Sequence, residues 1–372
     1  MLTKLTLHNF KCFDNLELSL SNLNVLTGLN GMGKSTALQS ILLLSQSADT
    51  IESSNKVILN GMYHEFGICS DILYENAEDD DIEIAYISED KSYRYQIQYS
   101  EYNAENEILP LKTKNTPRPF CDNHLVYLSA NRITPQVLYG ITDEKILAGR
   151  AFDKSGEYTI QYLDRFQNET VQNSAILKGN GDVSESSLAK QVEYWMNAVS
   201  PGVRPKITVN SSARTVELRY SYQKGRNSTN AYRSINVGFG ITYVLPIVVT
   251  LLTAKPGDII LMENPEAHIH PKGQRMLGEM IALASASGAQ IILETHSDHI
   301  LNGIRLAVKK KSIPCDNVNL YYFYLETESE DPDHMYTHRV KNPLIDEDGM
   351  LSEWPDGFFD EWDIALTELL TP

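Results

Sequence analysis

The sequence predicts an α/β fold, a mostly parallel sheet with crossover helices, flanked by an antiparallel β subdomain and split by an inserted α+β arm. Three observations carry this. Residues Gly28 to Ser35 read Gly-Leu-Asn-Gly-Met-Gly-Lys-Ser, a glycine loop spaced to cradle phosphates. Two buried runs, Ile259-Ile-Leu-Met262 and Gln290-Ile-Ile-Leu293, each lead into an acid, Glu263 and Glu294, and each is followed by helical periodicity. Between these regions, apolar and polar residues alternate in paired segments, the mark of antiparallel hairpins.

Taken in order, Leu16, Leu18 and Leu20 alternate with polar residues, and Leu23-Asn-Val-Leu-Thr27 is a buried strand leading into the loop. Beyond it Leu38, Ile41, Leu42 and Ser45 share one helical face, so the loop joins a strand to a helix. In that setting small residues let backbone N–H groups curl around a β-phosphate. Lys34 reaches the β- and γ-phosphates, the Ser35 hydroxyl ligates Mg²⁺, and the helix N-terminus adds its dipole. Asn30, Gly31, Gly33, Lys34, Ser35 and Thr36 are the candidate contacts to ATP and Mg²⁺.

Further on, Ile82 to Ile87 and Tyr93 to Tyr99 alternate around a polar turn, Ser88 to Ser92, and predict a hairpin. Leu125 to Ser129 is a short strand, Leu188, Val192, Trp195 and Val199 mark a helix ending at Pro201, and Lys206 to Tyr222 alternates as a second hairpin. The helix after Pro271 carries Met276, Leu277, Met280 and Ile281. Ile300, Leu301, Ile304 and Val308 predict another helix, and Val318 to Leu325 another strand. No apolar heptads persist over several turns, so no long coiled coil is expected.

The chain has 372 residues, 42% hydrophobic and 22% charged, which describes a globular protein with an ample core. Its four cysteines are widely spaced, with no Cys-x-x-Cys, which suggests reduced thiols in a cytoplasm. The N-terminus alternates like a strand and offers no secretory signal, and the longest apolar run, Tyr243 to Ala254, is broken by Pro246 and too short for a bilayer. A cytoplasmic protein without a membrane segment is the expectation. The net charge of −17 opposes nonspecific adsorption to DNA, yet Arg204, Lys206, Arg214, Arg219, Lys224, Arg226 and Arg233 form a basic stretch. That stretch is either a DNA contact or a solvated hairpin face.

Glu263 lies at the carboxyl end of a buried strand, where a Mg²⁺-coordinating acid of a phosphate-loop ATPase belongs. Glu266 is the candidate base for the attacking water. His296, after the next strand, is placed to sense a γ-phosphate or stabilise its developing charge. His268 and His270 offer a metal pair, but i,i+2 spacing beside Pro271 suits packing or a dimer contact better.

Asn9-Phe10-Lys11, the loop through Thr36, Val237-Gly238-Phe239-Gly240-Ile241-Thr242, Glu263 to Pro271, and Glu294 to Asp298 together resemble the ABC-type ATPase heads of the RecF, OLD and chromosome-maintenance branch. The resemblance implies an AAA-family ATPase in which ATP is sandwiched between the phosphate loop of one protomer and the Gly238 and Gly240 loop of another. The bland alternative is that these two glycines only open a helix. Ile345 to Asp360 resembles the tail of a prokaryotic subgroup defined by a C-terminal domain of unknown function, whose relatives are frequent in antiphage cassettes beside a separate effector. Three departures stand out. Asn264 replaces the glutamate that often follows the Mg²⁺ acid, which points to slow hydrolysis or to Glu266 as base. Thr242 and Tyr243 replace the usual signature run. No glutamine marks the loop that reports on Mg²⁺, and Arg132 is left either near the nucleotide or on a surface turn.

The implied organisation is an N-terminal lobe over residues 1–100, an arm over 101–235, a C-terminal lobe over 236–325, and an acidic, aromatic tail over 326–372. The implied function is an ATPase subunit that dimerises through ATP, with a higher oligomer left open, and controls a nuclease or toxin; the rival is a RecF-like repair ATPase that clamps DNA. The tail acids Asp346, Asp348, Asp356, Asp360 and Asp363 lack the context of a metal nuclease. Trp354, Phe358, Phe359 and Trp362 either dock the tail or anchor a partner.

Overall fold

A computed structural model describes every residue except 101, 122, 180–184, 226, 327–335, 356, 360 and 372, and all the remaining side chains but those of 361–364. Arg226, Asp356, Asp360 and the side chains of Trp362 and Asp363 therefore lie outside the described residues.

The chain opens with β1 (Leu2–Phe10), β2 (Phe13–Ser19), β3 (Leu23–Gly28), α1 (Lys34–Gln46), α2 (Ala48–Ser54) and β4 (Lys56–Ile58). There follow β5 (Asp81–Ser88), β6 (Lys91–Gln98), β7 (Ile108–Pro110), β8 (Leu125–Leu128), β9 (Tyr139–Gly140), α3 (Glu144–Ala148), α4 (Tyr158–Arg165) and α5 (Leu188–Val199). Next come β10 (Val203–Asn210), β11 (Thr215–Lys224), β12 (Asn227–Ser228), β13 (Tyr232–Arg233), α6 (Phe239–Thr253), β14 (Ile259–Glu263) and α7 (Pro271–Ala286). The last are β15 (Gln290–Glu294), α8 (Asp298–Lys309), β16 (Val318–Glu326), β17 (Thr337–Lys341) and α9 (Glu361–Leu370). Two compact units result. One holds Met1–Leu125, Val318–Leu344 and the stretch from Leu351; the other holds Val126–Asn317 and Ile345–Met350.

In the first unit, β2, β1, β5 and β6 form an antiparallel sheet in that order. The alternation of β1 and β2 puts Leu5, Leu7, Leu16 and Leu18 on its buried face. The predicted hairpin turn tightens to Glu89 and Asp90, because Ser88 already pairs with Lys91. Both turn residues have positive φ, 51° and 62°, the geometry that matches the twist of the flanking strands. β3, buried from Leu23 to Thr27, pairs in parallel with β16, from Leu23 with Val318 to Gly28 with Phe323. β17 runs antiparallel along the other side of β16. The tail docks here: Phe358 is buried against Tyr322, with ring centroids 5.3 Å apart, whereas Trp354 stays 50% exposed.

In the second unit, β14 and β15 pair in parallel from Ile259 with Gln290 to Glu263 with Glu294. Continuous burial of Ile259 to Met262 and Ile291 to Leu293 is what parallel strands covered on both faces require. Arg150 anchors the start of β14 by a buried bidentate pair with Asp258, at 2.5 and 3.0 Å. The second hairpin is β10 with β11, and β13 and β9 add to β11. Among the described residues, no helix is long and apolar enough to cross a membrane.

Candidate functional site

The phosphate loop belongs to the first unit. Gly28 leaves β3 with φ +134°, and a Cβ there would lie 2.1 Å from the Phe323 carbonyl oxygen on β16, so strand pairing itself demands glycine. Gly33 caps α1 with φ +96°, and a Cβ would meet the Phe13 ring at 2.6 Å. Asn30 and Gly31 are exposed at the loop's crest. Lys34 is only 3% exposed: its ammonium donates to the carbonyl oxygens of Gly28 at 2.9 Å and Leu29 at 2.7 Å. A buried ammonium needs such partners, and the two carbonyls hold it against its own loop. Ser35 is partly buried, and the Thr36 hydroxyl lies 3.4 Å from the Cys12 sulfur.

A residue that sequence reasoning missed touches this loop. His338 of β17 is 3.2 Å from the Gly31 carbonyl oxygen through Nε2, and packs edge-on to Phe13 at 5.9 Å. No local pattern signals it, because the contact spans over three hundred residues. Beside the loop, a cavity of about 610 Å³ is lined by His8, Asn9, Cys12, Asp79, His338 and Arg339 among others.

The acids belong to the second unit. Glu263 closes β14, and both its oxygens are oriented: Oε1 accepts the Tyr127 hydroxyl and Oε2 the Ala130 N–H, each at 2.9 Å. Asn264 follows with φ 42°, a left-handed turn that Asn tolerates better than most residues. The chain then brings Glu266 onto the end of β15. Its Oε2 accepts the Thr295 hydroxyl at 2.8 Å and its Oε1 the His296 N–H at 2.7 Å. Burial holds the Glu266 carboxyl above the usual carboxylate range, against the opposing pull of those two bonds. The His296 side chain is exposed, and Ser297 beyond it caps α8 by accepting the Ile300 N–H at 3.1 Å.

Arg132 corrects one alternative left open by the sequence: it is no surface arginine. At 1% exposure, it donates to the carbonyl oxygens of Ser129 at 2.8 Å, Glu263 at 2.6 Å and Asn264 at 2.6 Å, with its guanidinium 4.1 Å from the Tyr243 ring centroid. Burial lowers its pKa to about 10, which still leaves it charged at neutral pH. The fork thus fixes the backbone on which Glu263 stands. Arg132→Ala leaves those carbonyls without their donor and is expected to cost about 3 kcal/mol or more. A denaturant midpoint within about 1 kcal/mol of wild type would contradict that role.

Gly238 is the N-cap of α6, so it does open a helix, in open space with nothing nearer than 3.9 Å to a Cβ. Gly240 is confined, since a Cβ would lie 2.0 Å from the His268 carbonyl oxygen. His268 packs against Phe239 at 4.5 Å, and His270 caps α7 by accepting the Lys272 N–H at 3.2 Å. Most of the basic stretch is matched by acids: Arg219 and Arg233 pair with Glu217, Arg204 with Glu193, and Arg214 with Asp143.

The same segments are matched by a known family. The profile of the family described as "AAA domain, putative AbiEii toxin, Type IV TA system" matches residues 23–302, from β3 and its loop through Glu263, Glu266 and His296. The chain belongs to this AAA-domain family. A second profile, "Protein of unknown function (DUF3696)", matches residues 313–369. Among solved structures, an Smc head bound to the C-winged helix domain of ScpA is 14% identical with TM-score 0.50, over 91% of this chain and 97% of that one. An Smc head with an extended coiled coil, bound to the C-terminal domain of ScpA and derived from Pyrococcus furiosus, is 13% identical with TM-score 0.50, over 100% and 99%. No curated protein matches the chain. The AAA-family protein therefore has the fold of an ABC-type ATPase head similar to that of Smc.

Proposed function

We propose that this AAA-family head binds and hydrolyses Mg-ATP, that ATP joins two copies, and that closure controls a separate effector. The observation that carries the reading is the direct tie between Glu266 and the His296 backbone N–H, which couples a candidate base to the segment that would sense the γ-phosphate. On this reading Lys34 leaves its loop carbonyls for the β- and γ-phosphates, and the loop N–H groups hold the β-phosphate. Ser35 and Glu263 are donors suited to Mg²⁺: each carboxylate oxygen of Glu263 accepts one hydrogen bond, and an ionised carboxylate has about four lone-pair positions, so acceptor capacity remains. Bound by them, Mg²⁺ would neutralise charge between the β- and γ-phosphates. Glu266 orients the water and takes its proton, the raised pKa bringing it nearer the proton it must accept. His296 faces the charge that develops on the γ-phosphate, and Gly238 and Gly240 of the second copy close the site with backbone N–H groups. Residues 1–100 and 236–325 then act as the two lobes, 101–235 as the arm and 326–372 as the tail.

The effector reading is supported by the toxin–antitoxin description of the family. A nuclease or toxin in a cytoplasmic antiphage cassette is the partner we propose. One observation favours the RecF-like rival, DNA clamping: Lys206, Arg219 and Arg233 are aligned across β10, β11 and β13. Purifying the Glu266→Gln protein from its host in Mg-ATP decides between them. We expect a stoichiometric effector chain; recovery of nucleic acid alone, lost on reversing Lys206 and Arg219, would replace the first reading with the second.

A further inference from the structure

We propose that His338, from the C-terminal segment, is a positioning residue for the phosphate loop: its imidazole N–H pins the Gly31 carbonyl and so sets the direction of the Met32 N–H in the phosphate cradle. The inference rests on the nucleotide reading above and gives the tail a part in it.

A carbonyl oxygen only accepts, so the His338 Nε2 at 3.2 Å carries the proton and donates. The C=O of Gly31 and the N–H of Met32 belong to one planar trans peptide and point opposite ways. Fixing the carbonyl on the His338 side therefore aims the N–H toward the other side of the loop, and the loop works by aiming N–H groups. Control at this place is needed, because Gly31 has φ +80° and nothing within 4 Å of where a Cβ would be. No side chain or neighbour restricts Gly31 at its Cα, and glycine allows the 31–32 peptide many orientations.

His338 is itself held. Its ring packs edge-on to Phe13 at 5.9 Å, and Phe13 packs against Phe323 of β16 at 6.1 Å. The same Phe13 ring excludes any side chain at Gly33, so one aromatic residue supports both the loop's last glycine and the histidine that holds its middle one. The position of His338 follows from β17, whose register sets His338 opposite Leu325. β17 lies within the match to the family of unknown function, 313–369, whereas the loop lies within the AAA match, 23–302. A segment from outside the AAA match thus preorganises the phosphate loop.

Mg-ATP affinity, steady-state hydrolysis and thermal midpoint, measured on the full chain with Lys34→Ala as control, test this. His338→Ala should weaken ATP binding and raise KM about five- to tenfold, the size of one neutral hydrogen bond, with kcat within about twofold. His338→Gln, whose amide can donate to the same carbonyl, should recover most of the affinity, and neither variant should shift the thermal midpoint. Affinity unchanged in His338→Ala, Gln no better than Ala, or a loss that tracks a lower midpoint would overturn the proposal. Wild-type protein that ignores ATP, and that Lys34→Ala matches, would instead remove the nucleotide reading and this inference with it.

Discussion

Lys34→Ala is expected to abolish productive ATP binding, weakening affinity by about a hundredfold or more, the scale of a lost charge-assisted contact to phosphate in a preformed cradle. The structure makes this a clean experiment. The Lys34 ammonium is buried on the carbonyl oxygens of Gly28 and Leu29, so its removal leaves two acceptors beside an exposed crest where water can reach. The cost in folding should therefore be small, about 1 kcal/mol. The glycines that shape the loop are fixed by Phe323 and Phe13 and not by the lysine, so its shape survives. Calorimetric titration with Mg-ATP checks the expectation. Unchanged affinity would mean that the loop is a glycine turn without a phosphate ligand.

Glu266→Gln separates binding from chemistry. We expect ATP affinity within a few fold of wild type and hydrolysis slower by about a hundredfold to a thousandfold, the loss typical when a base can no longer take a proton. The substituted amide keeps an oxygen able to accept the Thr295 hydroxyl or the His296 N–H, so the loop should stay in place. The pH profile gives an independent check. Because burial raises the Glu266 pKa, the carboxylate needed as base is lost at a higher pH than for an ordinary glutamate. Hydrolysis should then fall on the acid side starting above the usual carboxylate range, a limb that Glu266→Gln lacks. If Glu266→Gln hydrolyses normally while substitutions at Asn264 are damaging, the base lies elsewhere.

Much of the architecture is legible in the residues because its signals are local. The loop between β3 and α1, the buried strands β14 and β15, helix α8 and the two hairpins all come from periodicity within ten or so residues. What the sequence hides depends on distant contacts. Arg132 reads as a turn residue until its partners, the carbonyls of Glu263 and Asn264, are seen to lie 131 and 132 positions away. His338 carries no motif, since its meaning comes from the pairing of β17 with β16 and of β16 with β3. The short elements β7, β9 and α3 leave no such signal, being too brief for periodicity. Even the β5–β6 turn reads too wide, because Glu89 at positive φ is not a residue from which a two-residue turn is inferred.

The most direct test of the account is the mass of the Glu266→Gln protein in solution, measured by light scattering in Mg-ATP, in Mg-ADP and without nucleotide. The account predicts a dimer in Mg-ATP alone, reverting to monomer when Lys34→Ala is added or when Gly240, pressed against the His268 carbonyl, is replaced. A protein that binds ATP and remains monomeric, or one whose mass ignores nucleotide, would contradict it.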